Sequence, residues 1–302
     1  MSFKSNGKIL LSGEYLVLEG AKAIALPSKL TQELKVENIT GNYIIWQSID
    51  YYENLWFEEK FYLKNDKLVY NGEKNIISEK IISLFNHIHV YNDIKNSIGK
   101  KFTTKLNFKR EWGLGSSSTF VNNLAKWANL DPYKLLFSTF DGSGYDIACC
   151  DSFSPIIYSR KGKSAEVNEI SFNPPFIDKL YFVYLGNKQN THQSVKDYYS
   201  KSFDKKKFIN KIDSISEKIM KSKDLNEFEN LIEIHESTIS EIISIEPVQK
   251  NKFSDYNGGK IKSLGSWGGD FVLVTSKSNN LNYFKDKGYN TIFPVSELVY
   301  IN

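Results

Sequence analysis

A glycine- and serine-rich turn between a strand pattern and a helix pattern is the feature that most constrains this fold. Residues Trp112–Thr119 read Trp-Gly-Leu-Gly-Ser-Ser-Ser-Thr. Before this run, Phe102, Thr104, Leu106 and Phe108 occupy every second position, as in a half-buried strand. After it, hydrophobic residues recur on one helix face. The glycines permit positive φ, and the first turn of a following helix offers unsatisfied backbone N–H groups to an anion. The turn therefore suits a phosphate group, although a serine-capped connection between a strand and a helix has the same pattern.

Chain length and hydrophobic patterning predict an α+β protein of two domains. The 302 residues, 41% of them hydrophobic and 25% charged, exceed one ordinary core and are typical of a globular protein. The second half combines a strand at Leu180–Leu185 with two long helix patterns and later strands at Phe271–Thr275 and near Thr291–Phe293. We expect residues 1–172 to form one domain and residues 173–302 the other. The strands expected in the first half are Lys8–Leu18, Tyr43–Ile49, Leu55–Leu63 and Lys101–Phe108.

Cysteine usage, apolar stretches and charge exclude several classes of protein. Cys149 and Cys150 are adjacent and cannot build a disulfide framework, and no His/Cys spacing resembles a zinc site, which favours a cytoplasmic location. No stretch approaches the roughly 20 apolar residues that span a bilayer, and the N-terminus lacks a signal-peptide core. The net charge is only +4, with lysines scattered among acids. We therefore expect neither nucleic acid nor membrane as a partner, but a small anionic ligand fits.

The sequence lacks the common nucleotide-binding and serine-hydrolase motifs. It contains no G-x-x-x-x-G-K-[ST] loop, no Rossmann glycine fingerprint and no protein-kinase H-R-D or D-F-G. G-x-S-x-G is not found around Ser116 or Ser117, which makes nucleophilic serine chemistry the weaker hypothesis. His235 lies on the apolar stripe of a helix pattern and is predicted to be a hydrogen-bonded core residue.

Three segments in order resemble the motifs of the GHMP kinase superfamily, the small-molecule kinases that include galactokinase, homoserine kinase, mevalonate kinase and phosphomevalonate kinase. Gly7–Gly20 resembles the first motif, Gly113–Ser118 the phosphate loop, and Lys262–Asp270 the third, glycine-rich motif. The resemblance spans nearly the whole chain. It implies a two-domain GHMP kinase fold, with an N-terminal domain similar to ribosomal protein S5 domain 2 and a ferredoxin-like C-terminal domain. It also implies ATP and Mg²⁺ as cofactors and a small-molecule substrate.

A fourth segment, Gly142–Ala148, supplies the proposed chemistry. It resembles the place where mevalonate and phosphomevalonate kinases carry an aspartate that faces the acceptor, with the lysine of the first motif nearby. The resemblance therefore implies Asp146 and Lys8 as catalytic residues. Asp146 would orient the acceptor oxygen and accept its proton, and Lys8 would stabilise the charge on the γ-phosphoryl group. Taken singly, the two residues also fit a turn aspartate and a solvated lysine.

The resemblance assigns the other site residues in three groups. The residues assigned to ATP phosphates are Gly113, Leu114, Gly115, Ser116, Ser117 and Ser118. The assigned Mg²⁺ ligand is the Ser117 hydroxyl, with the Ser116 hydroxyl as the alternative. The residues assigned to the substrate are Glu14, Tyr15, Ser143, Gly144, Thr191, Ser194, Gly265, Gly268 and Gly269. Two positions depart from the family pattern. Leu135 stands where mevalonate kinase has a second acidic metal ligand, and Trp267 stands where glycine or alanine is usual.

The acceptor is less constrained than the fold because one fold serves many substrates. The string Gly-Ser-Gly-Tyr-Asp-Ile-Ala at Gly142–Ala148 is more similar to phosphomevalonate kinases than to mevalonate kinases, and it also resembles a GHMP subgroup named for its Gly-Tyr-Asp-Ile-Ala string. The sequence predicts a monomeric or homodimeric kinase that phosphorylates phosphomevalonate or mevalonate in isoprenoid biosynthesis. The alternatives are a kinase for a sugar or amino-acid alcohol, a diphosphomevalonate decarboxylase, or a catalytically inactive GHMP-fold ligand sensor.

Overall fold

The computed structural model describes residues 1–140, 142–162, 164–187, 191–267, 269–278 and 280–302, with only the backbone of residues 191 and 192. The strands are β1 (Ser2–Leu10), β2 (Ala23–Asn38), β3 (Tyr43–Ile49), β4 (Leu55–Lys64), β5 (Lys67–Val69), β6 (Lys100–Leu106), β7 (Ile156–Lys161), β8 (Ser164–Glu169), β9 (Leu180–Tyr184), β10 (Ile261–Ser263), β11 (Phe271–Thr275) and β12 (Ile292–Pro294). The α-helices are α1 (Ile76–His89), α2 (Ser116–Ala128), α3 (Pro132–Thr139), α4 (Tyr145–Cys150), α5 (Thr191–Tyr199), α6 (Lys205–Lys221), α7 (Leu225–Ile243), α8 (Val248–Lys252), α9 (Asn282–Asp286) and α10 (Val295–Leu298). Within these ranges, no helix combines the length and the apolar character needed to cross a membrane.

The chain forms two compact units that interleave along the sequence. The segments of the first unit are Met1–Gly7, Leu30–Arg110 and Gly115–Asp151. The segments of the second unit are Lys8–Lys29, Glu111–Leu114 and Ser152–Asn302. The sequence predicted one domain boundary, between residues 172 and 173, whereas the units interleave. That domain boundary stays a prediction.

The first unit is built on a sheet with the strand order β5-β4-β3-β6-β2. Strands β3 and β6 run parallel, and the C-terminal part of β2 pairs antiparallel with β6. In the core, the Trp46 ring stacks on Phe102 with a centroid distance of 5.4 Å, and Phe85 meets Phe102 edge to face. Burying such large side chains stabilises a fold by about 1.5–3 kcal/mol each. The apolar faces of α1, α2 and α3 pack into this core, so α2 is held against the sheet.

The second unit contains an antiparallel sheet whose described strands are ordered β10-β11-β9-β12. Its core includes Val183 of β9, Val274 of β11 and the aromatic rings of Phe253 and Phe284. The N-terminal part of β2 pairs with β7, which pairs in turn with β8. Helices α6 and α7 carry the two long apolar repeats. Helix α6 keeps its charged residues off its buried face, whereas α7 also buries Glu229 and Glu236. The structure confirms the predicted α+β fold class.

The strand predicted over Lys8–Leu18 is wrong in its second half. Strand β1 begins earlier, at Ser2, and ends at Leu10. The chain then turns through Gly13 with φ of 87° and Tyr15 with φ of 62°, and a single 3₁₀ turn follows at Leu16–Glu19. A side chain at position 13 would place its Cβ 2.8 Å from the Ala23 Cβ, so the turn requires glycine there.

Candidate active site

The glycine-serine run forms the turn that leads into α2. Gly113 and Gly115 adopt left-handed conformations with φ of 66° and 88°, as the sequence predicted. Helix α2 begins at Ser116, and its first backbone N–H groups have no partner within the helix. Ser116 is half-buried and Ser117 is exposed. The Ser118 hydroxyl instead donates a 2.9 Å hydrogen bond back to the Gly115 carbonyl. Backbone donors and two accessible hydroxyl groups therefore stand at the start of this helix.

Lys8 is attached to the part of this loop that belongs to the second unit. Its ammonium Nζ donates to the Gly113 carbonyl at 2.9 Å, and its backbone N–H donates to the Leu114 carbonyl at 2.9 Å. The Lys8 side chain is half-buried near the end of β1. These two bonds fix a cation beside the loop, because both the backbone and the side-chain tip are held.

A small cleft in the second unit joins residues from all three family-like segments. Its lining includes Lys8, Gly113, Leu114, Leu264, Gly265 and Asp270. The Asp270 carboxylate lies against the backbone of Gly113, where an added Cβ would be 2.3 Å from Asp270 Oδ2. Glycine at position 113 is therefore required both by its φ and by this close approach.

Asp146 lies in the first turn of α4, within the first unit. Gly144 precedes the helix with φ of 92°, and both Ser143 and Gly144 are buried. Asp146 is half-buried, and its backbone carbonyl accepts a hydrogen bond from Cys150 Sγ at 3.3 Å. The left-handed glycine thus starts a short helix that leaves the Asp146 side chain partly accessible.

Tyr15 and Ser194, two residues predicted to bind substrate, lie together in the second unit. The Tyr15 hydroxyl donates to the Ser266 carbonyl at 2.9 Å, and its ring stacks on Tyr198 with a centroid distance of 5.3 Å. Burial raises the pKa of Tyr15 to about 12, and a hydrogen bond with Ser194 acts in the opposite direction. The phenol is therefore neutral near pH 7 and able to form hydrogen bonds as donor or acceptor.

Glu14 is fully buried in a charged cluster that also contains Lys262 and His235. The Lys262 ammonium donates to Glu14 Oε1 and, at 2.9 Å, to the Ser263 carbonyl. Glu14 Oε2 lies 3.1 Å from His235 Nε2, which accepts a 3.1 Å hydrogen bond from the Gly13 N–H. Burial raises the pKa of Glu14 against the pull of Lys262, and burial lowers the pKa of His235 well below its ordinary value. His235 is therefore a neutral, hydrogen-bonded core residue, as predicted.

The remaining predicted residues lie in or beside the third motif. Gly265 lines the cleft and has φ of 59°. The Gly269 carbonyl accepts a backbone hydrogen bond at 3.2 Å. Gly268 and the side chain of Thr191 lie outside the described residues. Trp267, at a position where the family pattern favours a small residue, is 3% exposed with φ of 58°, and its indole N–H has no partner in the described part of the chain.

The few side chains that could ligate a metal ion suit a magnesium ion that is bound mainly by nucleotide phosphates. The described residues include no group of three or more His, Cys, Asp or Glu side chains that could hold a metal ion. Leu135, where the resemblance calls for a second acidic ligand, is buried in the apolar core of the first unit. The Ser117 hydroxyl is exposed, and its role as the magnesium ligand stays a prediction. Mg²⁺ keeps several waters and binds substrate phosphates with few protein ligands, which agrees with this sparse set.

A second buried acid, Glu236, makes stability depend on pH. Its Oε2 accepts a 3.0 Å hydrogen bond from Ser263, its Oε1 has no partner among the described residues, and burial raises its pKa to about 8. The unfolded chain ionises this group near its ordinary pKa of 4.5, before the folded chain does. This group's contribution to the free energy of unfolding is therefore full below pH 4.5 and is lost as pH rises toward 8.

We expect the Glu236→Gln variant to gain stability relative to the wild type as pH rises. Glutamine stays neutral, so the difference in unfolding free energy should grow by about 3 kcal/mol between pH 5 and pH 8. Urea denaturation of both proteins at several pH values measures this difference. A difference that stays constant across this pH range would show that Glu236 is already ionised in the folded protein.

The sequence matches no protein-family model and no curated protein. The fold, in contrast, is similar to that of several solved kinases. The structure of Streptococcus pneumoniae phosphomevalonate kinase in complex with phosphomevalonate and AMPPNP has a TM-score of 0.71 and 14% identity, with 98% of this chain and 100% of that chain covered. Methanococcus jannaschii mevalonate kinase has a TM-score of 0.68 and 17% identity, covering 97% of this chain and 96% of that one.

A third similar structure is that of Lactococcus lactis galactokinase complexed with galactose. Its TM-score is 0.69 at 12% identity, with 99% of this chain and 93% of that chain covered. The three solved proteins are GHMP kinases, and they act on different acceptors. At these identities the similarity shows the fold, and the predicted GHMP kinase fold is confirmed.

Proposed function

We propose that this chain is an ATP-dependent kinase that transfers the γ-phosphoryl group to a small molecule, with phosphomevalonate or mevalonate as the acceptor. The observation that carries the proposal is the bond from the Lys8 ammonium to the phosphate-loop carbonyl of Gly113, beside a cleft that Gly265 and Asp270 also line. A cation fixed against a glycine loop is the arrangement that phosphoryl transfer needs, because this chemistry depends on positioning and charge neutralisation.

The start of α2 is the proposed site for the nucleotide phosphates. Its free N–H groups and the positive end of the helix dipole attract anions, and Gly115 leaves the approach open because it has no side chain. The Ser117 hydroxyl would hold Mg²⁺, which supplies charge neutralisation on the phosphates. Ser116 adds a half-buried hydroxyl next to it.

Lys8 and Asp146 have complementary proposed roles. The Lys8 ammonium is held at the Gly113 carbonyl, so its positive charge lies beside the glycine loop, where it can stabilise the charge on γ-phosphoryl oxygens. The Asp146 carboxylate orients the acceptor and takes its proton when the acceptor is a hydroxyl. Tyr15 and Ser194 provide neutral hydroxyl groups for an acceptor rich in oxygen atoms.

The kinases with similar folds bind chemically different acceptors. One of the solved proteins is a complex with phosphomevalonate and AMPPNP, and another is a complex with galactose. Gly142–Ala148 is more similar to the phosphomevalonate kinase pattern, which is why phosphomevalonate comes first in the proposal. Galactose belongs among the test substrates because a kinase of the same fold binds it.

The test is an ADP-release assay with purified protein and Mg²⁺-ATP. Mevalonate, phosphomevalonate, diphosphomevalonate, galactose and homoserine are supplied separately, and the product is identified by mass. We expect acceptor-dependent ADP release with phosphomevalonate or mevalonate. Ligand binding without ADP release would support a sensor instead, and release of carbon dioxide from diphosphomevalonate would support a decarboxylase.

A further inference from the structure

Tyr15 lies in an unusual and strained backbone turn. Its φ of 62° and ψ of −50° fall where non-glycine residues are rare, and the Leu16 N–H donates to the Glu14 carbonyl at 2.7 Å across it. This is a three-residue γ-turn with positive φ at its centre, a strained form that persists only when surrounding contacts hold it. The contacts that hold the turn therefore decide where the Tyr15 side chain lies.

The buried cluster supplies those contacts on the N-terminal side of the turn. The Lys262 ammonium binds the Glu14 carboxylate, and His235 accepts the Gly13 N–H at 3.1 Å. Lys262, Glu14 and His235 are all 0% exposed, so water does not compete for these bonds. Two consecutive residues before Tyr15 are thus fixed, one through its backbone and one through its side chain.

The third motif holds Tyr15 from the other side. Lys262 belongs to β10, and the Ser266 carbonyl that accepts the Tyr15 hydroxyl follows four positions later along the chain. The same segment includes Gly265, which lines the cleft beside Lys8. The cluster and the phenol bond therefore attach the first motif to the third at two places.

We propose that Lys262 and His235 are positioning residues that hold Tyr15 in its strained turn, with its hydroxyl presented to the acceptor beside Ser194. The proposal rests on the kinase function proposed above. Lys262 acts through Glu14, and His235 acts through the Gly13 N–H. Neither residue reaches the substrate, because both are fully buried.

The test compares variants that break the cluster with variants that preserve it. His235→Leu removes the acceptor for the Gly13 N–H, whereas His235→Gln keeps an acceptor at the end of a side chain. Lys262→Met leaves Glu14 as an unpaired buried charge and risks misfolding. The double variant Lys262→Met with Glu14→Gln removes both charges, so it breaks the cluster without leaving an unpaired buried charge.

We expect His235→Leu and the Lys262/Glu14 double variant to raise the acceptor KM about tenfold, as for a lost hydrogen bond of about 1.4 kcal/mol. The KM for ATP should stay unchanged, and His235→Gln should restore most of the acceptor affinity. Tyr15→Phe should raise the acceptor KM similarly, and combining it with His235→Leu should add less than about twofold, because both changes remove one function. The control is Lys260→Met, two positions before Lys262 in the sequence. It breaks a partly exposed ion pair with Glu233 and should change neither the KM for the acceptor nor the KM for ATP.

The Tyr15 ring also gives a signal that does not depend on turnover. In protein with isotope-labelled tyrosine, its NMR resonance is assigned by its loss in Tyr15→Phe, and it should shift in His235→Leu but not in Lys260→Met. Additive KM effects, a parallel rise in the KM for ATP, or an unshifted ring resonance would overturn the proposal. If no acceptor is phosphorylated, the proposed function fails, and the ring resonance alone decides whether the cluster positions Tyr15.

Discussion

Asp146→Asn is expected to lower kcat by at least about a hundredfold, the scale of losing a positioned base together with its electrostatic role. Asparagine has nearly the same shape but carries no charge, and it cannot take the proton of a hydroxyl acceptor such as mevalonate. Asp146 is half-buried, so the exchange should leave α4 and the fold intact. Steady-state kinetics with saturating Mg²⁺-ATP measure the loss, and the thermal unfolding midpoint should stay close to that of the wild type.

Asp151→Asn is the matched control for this prediction. Asp151 is the residue that follows α4. Its carboxylate pairs with Lys126 in a partly exposed contact and accepts a 3.2 Å hydrogen bond from the Asn122 side chain. Losing such a pair costs about 0–1 kcal/mol of stability and should leave kcat unchanged. Unchanged turnover in Asp146→Asn, or an equal loss in both variants, would remove Asp146 from the proposed mechanism.

Gly115→Val is expected to weaken ATP binding by about 10- to 100-fold, because a valine would be strained at this position and would obstruct the phosphates. Gly115 has φ of 88°, which a β-branched residue strongly disfavours. In the proposed function, Gly115 also lies beside the anion site at the first turn of α2, where an added side chain would compete with the phosphates for space. Calorimetric titration with a non-hydrolysable ATP analogue measures the change in Kd.

Gly162→Val is the matched control for Gly115→Val, because it introduces the same backbone strain at a position away from the proposed phosphate site. Gly162 has φ of 64° in the turn between β7 and β8, and a Cβ there would meet no atom within 4 Å. The variant should lose stability without losing nucleotide affinity. Normal nucleotide affinity in Gly115→Val would place the phosphate site elsewhere on the protein.

The parts of the fold with regular hydrophobic periods could be predicted from the sequence. Helix α1 buries Ile81, Leu84, Phe85 and Ile88, whose spacing in the sequence follows one face of a helix. The glycine turn before α2 was also predictable, because glycine permits positive φ and Gly113 and Gly115 adopt that conformation. Local sequence determines these features, so long-range contacts were not needed to find them.

The parts missed by sequence reasoning depend on distant contacts. The hydrophobic run continues past Leu10, but the structure ends β1 there and places Tyr15 in a strained turn that no residue preference encodes. Strand β2 was not predicted because Pro27 reads as a break in a strand. Lys262 was not singled out because lysines are rarely buried, and its partner Glu14 lies 248 positions away in the chain.

Isotope transfer tests the central claim most directly. The protein is incubated with Mg²⁺, phosphomevalonate or mevalonate, and ATP whose γ-phosphoryl group carries heavy oxygen, and the products are analysed by mass spectrometry. The account predicts a phosphorylated acceptor that contains the heavy oxygens, together with ADP. Label found only in ATP or in inorganic phosphate, with the acceptor unchanged, would contradict phosphoryl transfer to these acceptors.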